Sequence, residues 1–162
     1  MLPTTSRSWA LYLAILMCAI CLPVLSKPPK PEAIEAAQDE SDLKHMKKDL
    51  GPSGCAHIGF SLGFDYLFMA AYVTAIGLGC AMVAEKLGAL LHPLGTILAY
   101  AQIAGGLIDA SENACLIRLL SGGFDQRVMT MARLATASKF TIPVAGIGYI
   151  LVALVLSGWS RV

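Results

Sequence analysis

The chain reads as an all-α polytopic membrane bundle of four spans, or three if the first is a cleaved signal peptide. Hydrophobic residues make up 56% of its 162 positions and charged residues only 14%. The apolar positions gather into four long blocks, near residues 9–26, 60–83, 93–120 and 137–158. A helix needs roughly 17 to 25 mostly apolar residues to cross hydrocarbon, and soluble domains of this size do not supply such blocks. The formal net charge of +1, with no basic stripe interleaved with aromatics, excludes nucleic acid as a partner. Expected partners are the lipid bilayer and either further copies of the chain or a membrane complex. No cofactor or metal is expected. The chain divides into a first transmembrane helix or signal peptide (1–26), a polar linker with an amphipathic surface helix (27–59), a three-helix transmembrane core (60–158) and a tail (159–162).

Residues 9–26 admit two readings. One Arg in the preceding segment, an apolar core, Pro23 as a helix breaker and small residues before position 27 fit a signal peptide. The same stretch is just long enough for a retained span. Cys18 and Cys21 have the C-x-x-C spacing of a redox pair but lie in this apolar block, where cysteine behaves as a small hydrophobe. With five cysteines, mostly within apolar blocks, no disulfide framework is implied.

Residues 27–57 form the long polar segment, in which six acids and five lysines surround an intermittent stripe of Ile34, Leu43, Met46 and Leu50. Pro31 suits a helix start, Glu32 and Glu35 suit a first turn, and Gly51-Pro52 reads as a stop. The expected element is an amphipathic helix lying at the membrane surface. Cys55 and His57, with His45, Asp42 and Asp49, supply metal-ligand types, but their spacing matches no standard zinc pattern.

The short connection 84–92 makes the next two spans an antiparallel pair, with His92 interfacial before Pro93. Gly122-Gly123 should stop the third span, and Asp125 should cap a surface helix through Arg127 and Arg133. Pro143 should kink the last span near its start. Small residues, including Gly77, Gly79, Gly105, Gly106, Gly146 and Gly148, allow the spans to approach closely. The first and third connections carry nine of the twelve Lys and Arg residues, against Arg7, Lys86 and Arg161 on the other side. By the positive-inside rule the nine-residue side is cytoplasmic; a cleaved leader or an inside N-terminus reverses this.

The chemistry concentrates in 102–118, where an apolar block carries Asp109, Glu112 and Asn113. A charge at the bilayer centre costs ~2.5 to 3.5 kcal/mol even on a lenient insertion scale, so such groups face a partner charge or a wet cavity. At 100° per residue Gln102, Gly106, Asp109 and Asn113 share a narrow arc, with Glu112 about 80° away. Asp65, Met69, Tyr72 and Ile76 form a similar arc on the preceding span. Alternating spans bring Asp65, Asp109, Glu112, Asn113 and Lys139 to one membrane face, as the walls of a half-buried pocket, with Tyr72 and Gln102 as secondary members. Three functions fit: a structural or gating ion cluster, a proton or cation relay, and acid–base chemistry on a lipid. The last lacks any nucleophile elbow or His-rich metal motif to support it.

The segments Asp65-Tyr66-Leu67-Phe68 with Tyr72, Asp109-Ala-Ser-Glu112-Asn113 and Ser138-Lys139-Phe140 together resemble a family of small, functionally uncharacterised four-helix integral membrane proteins. The family pattern is D-x-L-F-x-x-x-Y, then D-x-x-E-N, then an aromatic-flanked Lys opening the last helix. The resemblance spans about residues 9–157 and rests on order and spacing. It implies a four-helix bundle with a retained first helix, and it draws attention to Asp65, Asp109, Glu112, Asn113 and Lys139. Cys55 stands where the family's G-x-x-G-R element has Arg, so no role of that Arg carries over. It implies no reaction. The resulting expectation is a structural, accessory or assembly component whose cluster holds or gates the bundle, with proton- or cation-coupled transport as the alternative and a lipid-modifying enzyme third.

Overall fold

The computed structural model of the chain describes residues 4–87 and 91–159. The expected tail therefore falls mostly outside the described residues, as do Arg161 and the middle of connection 84–92. Six helices follow in order: α1 (Thr4–Leu25), α2 (Glu32–Glu35), α3 (Glu40–Ala84), α4 (His92–Ser121), α5 (Gln126–Lys139) and α6 (Thr141–Trp159), with no strand among the described residues. Three stretches are long and apolar enough to cross a membrane: Ser6–Leu25, Glu40–Ala84 and Gln126–Leu156. Though 30 residues long, α4 is not among them, because Gln102, Asp109, Glu112 and Asn113 lower its hydropathy.

Pro23 does not end α1, which continues to Leu25. Proline there removes the one bond to the Ala19 carbonyl, and the ladder resumes with the Ser26 N–H donating to the Leu22 carbonyl at 3.0 Å. Arg7, Leu11, Ala14, Cys18, Cys21 and Leu25 form the more buried seam of α1, a 4-3-4-3-4 spacing typical of helices packed side by side. The C-x-x-C pair therefore occupies successive seam positions. Both thiols are free and Cys21 is fully buried. Packed antiparallel along α3, α1 brings Arg7 to an ion pair with Glu85 just beyond the far end of α3.

Asp39 caps α3, accepting from the Asp42 N–H at 2.9 Å, while Asp42 accepts from the Gln38 N–H at 3.1 Å. The Asp42 N–H bond holds the Asp39 carboxyl below the usual carboxylate range. Gly51-Pro52 is a kink rather than a stop. Gly51 takes φ +64°, a left-handed conformation that suits glycine, and Pro52 opens a second helical segment at once.

The amphipathic segment also differs from expectation. Ile34 and Leu43 are buried with Ile58, Leu62, Leu116, Leu119, Val128, Met129 and Ala132, and Met46 and Leu50 pack on the rim. Its apolar stripe thus faces the end of α4 and α5 rather than lipid. These residues form a hydrophobic cap at one end of the bundle. Arg133 Nη2 clamps it by donating to the Glu35 and Ala37 carbonyls at 3.1 and 2.8 Å, and Lys47 Nζ donates to the Gly122 carbonyl at 2.8 Å.

Gly122 caps α4 and Asp125 caps α5, as the sequence indicates. The expected kink at Pro143 is instead a break at Phe140. Proline offers no N–H to residue 139, so α5 ends there and Pro143 sits in the unbonded first turn of α6. Close approach between α4 and α6 depends on Gly146. A Cβ there would lie 2.6 Å from Gln102 Nε2 and 2.7 Å from Ile76 Cγ2. Gly146→Ala should therefore cost about 1 to 3 kcal/mol and lower the thermal midpoint followed by circular dichroism in detergent. Gly148→Ala, with nothing within 4 Å, should leave it unchanged.

Candidate functional site

The polar cluster is built from α3, α4 and the end of α5. On α4, the residues of the inner face are almost wholly buried: Asp109 is 6% exposed, Glu112 2% and Asn113 2%. The opposite face carries Ile97, Tyr100, Ile103 and Leu107, all exposed at helical spacing. Glu112, which the helical wheel sets apart from the arc of Asp109 and Asn113, is buried because α5 covers that flank. Two neighbours, α3 on one side and α5–α6 on the other, thus widen the buried face of α4.

Lys139 Nζ donates to Glu112 Oε1 at 2.9 Å and lies 3.5 Å from Asp109 Oδ1. It also stands 5.2 Å from the centroid of the Phe140 ring. Tyr72 OH donates to Asp109 Oδ2 at 3.0 Å, and Asn113 Nδ2 donates to Asp65 Oδ2 at 2.8 Å. The helical positions of these groups follow from spacing, and the antiparallel packing of α3 on α4 supplies the rest. The five principal residues and Tyr72 come together. Gln102 does not join them, because seven residues place it ~10 Å up the helix from Asp109. It donates to the Leu98 and Ile142 carbonyls at 3.3 and 3.2 Å, joining α4 to α6.

Two recesses flank the cluster. A polar cleft of about 210 Å³ is lined by Glu35, Ser61, Asp65, Glu112, Thr136 and Lys139, among others. An apolar groove of about 300 Å³ runs between α3 and α6 past Phe68, Tyr72, Ile76, Pro143 and Ile147 and ends on Asp65, Asp109 and Lys139. Glu35 and Thr136, joined at 3.2 Å, were not legible as site residues. Arg133, Thr136 and Lys139 share a helical flank, but nothing in the sequence brings α2 to it. Glu112 Oε2 is buried with no hydrogen-bond donor, and Asp109 Oδ1 is met only by the Lys139 ammonium at 3.5 Å. No set of three or more His, Cys, Asp or Glu among the described residues is arranged to hold a metal ion, and His45, Cys55 and His57 form no such set.

No family model, curated protein or solved structure matches this chain.

The cluster has three acids and one ammonium, so each neutral donor matters. Tyr72→Phe removes the donor to Asp109 and should cost about 1.5 to 3 kcal/mol, the range for hydrogen bonds to charged groups. Tyr66→Phe removes only an exposed hydroxyl bonded to the Ala110 carbonyl and should cost under ~1 kcal/mol. Thermal unfolding of the two variants side by side measures the difference.

Proposed function

We propose that the chain is a four-span integral membrane protein with a structural or accessory role, in which the ion cluster locks the core helices and the cap into one unit. The observation that carries this is Lys139. Standing where α5 gives way to α6, it engages Glu112 and Asp109 of α4, which Tyr72–Asp109 and Asn113–Asp65 tie to α3. One ammonium thereby couples three helices, and the clamp on α2 extends the coupling to the cap. Four spans are supported by the lipid-compatible outer face of α4, by its length, and by the seating of α1 on α3. The resemblance to small four-helix membrane proteins supports the same count.

A second reading, proton or cation uptake, draws on Glu112 Oε2, which has no donor, and on Asp109 Oδ1, which only Lys139 meets at 3.5 Å. Beyond the cluster the helices close tightly. Val73 meets the space a Cβ on Gly106 would need, and Gln102 and Ile76 meet that of Gly146. That closure favours holding over conduction.

Lys139→Met leaves two carboxylates buried without their cation and should cost about 3 to 5 kcal/mol. The exchanged pair Glu112→Lys with Lys139→Glu should recover much of the folded yield. Unchanged yield in Lys139→Met would remove the locking role. The span count is read by impermeant maleimide labelling after replacing the five native cysteines. Cysteines placed at Lys48 and Arg127 should label from one side and one at Lys86 from the other. Labelling of the Arg127 and Lys86 positions from the same side would show that α4 does not cross. For the second reading, sealed vesicles carrying the protein should show a pH-driven flux abolished by Glu112→Gln, and no flux would leave the lock alone.

A further inference from the structure

The polar cleft and the apolar groove are continuous in composition, sharing Asp65, Lys139 and Phe140 as lining residues. One end of the combined recess is polar and acidic, and the other is walled by Phe68, Tyr72, Ile76, Pro143 and Ile147. We propose that this recess binds a single-chain cationic amphiphile, with a protonated amine head in the cleft and its alkyl chain along the groove between α3 and α6. The proposal rests on the membrane placement above and is independent of the locking role.

Charge complementarity selects the head. Asp65, Asp109 and Glu112 share the single ammonium of Lys139, which reaches only the last two, and Glu35 adds a further carboxyl at the cleft, so acidic groups outnumber cations there. Arg133, on the same flank of α5, is committed to the Glu35 and Ala37 carbonyls. A buried excess of negative charge is costly unless a cation or donor meets it. Glu112 Oε2 is the acceptor assigned to the head. It is buried, lacks any hydrogen-bond donor and belongs to a side chain only 3% exposed that lines the cleft. An ammonium carries three donors and suits such an oxygen. An anionic head would meet three carboxylates in the cleft and a lysine already engaged.

The groove selects the tail. Beyond the acids its walls are aromatic and aliphatic, so a bare inorganic cation would use only half of the recess. The carboxylates are also not gathered as a metal-ligand set among the described residues. An alkyl chain laid along Phe68, Ile76 and Ile147 buries apolar surface on both partners and enters sideways from the bilayer.

The test is equilibrium binding of radiolabelled dodecylamine to the full chain in phosphatidylcholine nanodiscs, compared with dodecanol and dodecyl phosphate. Saturable binding of about one amine per chain is expected, at least ~tenfold tighter than dodecanol because a charged hydrogen bond is lost in the alcohol. Glu112→Gln removes the charge that meets the head, and Ile147→Trp fills the groove; each should weaken binding ~tenfold or more. Ile103→Trp, on the outer face of α4, should leave it unchanged. Should Glu112→Gln fail to fold, Ile147→Trp decides by itself, because Ile147 lies outside the ion cluster and its folding is checked by an unchanged thermal midpoint. Unsaturable partitioning, equal binding of dodecanol, tighter binding of dodecyl phosphate, or indifference to Ile147→Trp would each overturn the proposal. Failure of Lys139→Met to destabilise the protein would remove the lock while leaving this binding result to stand.

Discussion

An ammonium carried into an apolar bundle must meet anions there, and Lys139 meets two of them on a single helix. That requirement organises much of what surrounds it. Glu112 and Asp109 lie three residues apart on α4, so one cation reaches both only from the flank that α5 covers. Tyr72 and Asn113 then supply neutral donors to acids that the lysine does not saturate. Because a half-satisfied polar network is worse than an apolar core, each of these contacts constrains helix rotation and register as well as adding attraction.

The cap explains how Lys139 is held in place. The chain breaks between α5 and α6, where Pro143 cannot continue the ladder, and the end of α5 carries the lysine inward. Val128, Met129 and Ala132 fix α5 against the cap residues Ile34 and Leu43. Arg133 ties the same helix to the carbonyls of Glu35 and Ala37. The polar segment is therefore part of the support for the buried ion cluster. Small residues perform the complementary task deeper in the bundle, where Gly146 admits Gln102 and Ile76 to contact distance.

Cysteine usage follows the same logic. Cys18 and Cys21 have redox spacing because i and i+3 share a helix face, and the packing seam of α1 needs the same spacing. Burial of Cys21 and the absence of a bond between them leave the seam as their evident role. Spacing is common to both chemistries, and only the neighbouring helix distinguishes them.

Local rules were legible in the sequence: the apolar blocks, the caps at Gly122 and Asp125, and the inward arcs of α3 and α4, whereas Gly51-Pro52 reads locally as a stop and only the packed chain makes it a kink. Each depends on residues within a turn or two of one another, so a period or a cap residue carries it. The five principal cluster residues were legible as well, since alternating helices confine them to one end. What tertiary structure decided was everything that depends on a second surface. It buried Glu112 under α5, carried Gln102 away to α6, turned the amphipathic stripe onto the protein, and brought Glu35 and Thr136 to the cleft from positions about a hundred residues apart in sequence. A hydrophobic stripe specifies that it must be covered but not by what, and a buried acid specifies that it needs a partner but not from which helix. Those choices are set by helix packing, where small residues and the break at Phe140 determine which faces can meet.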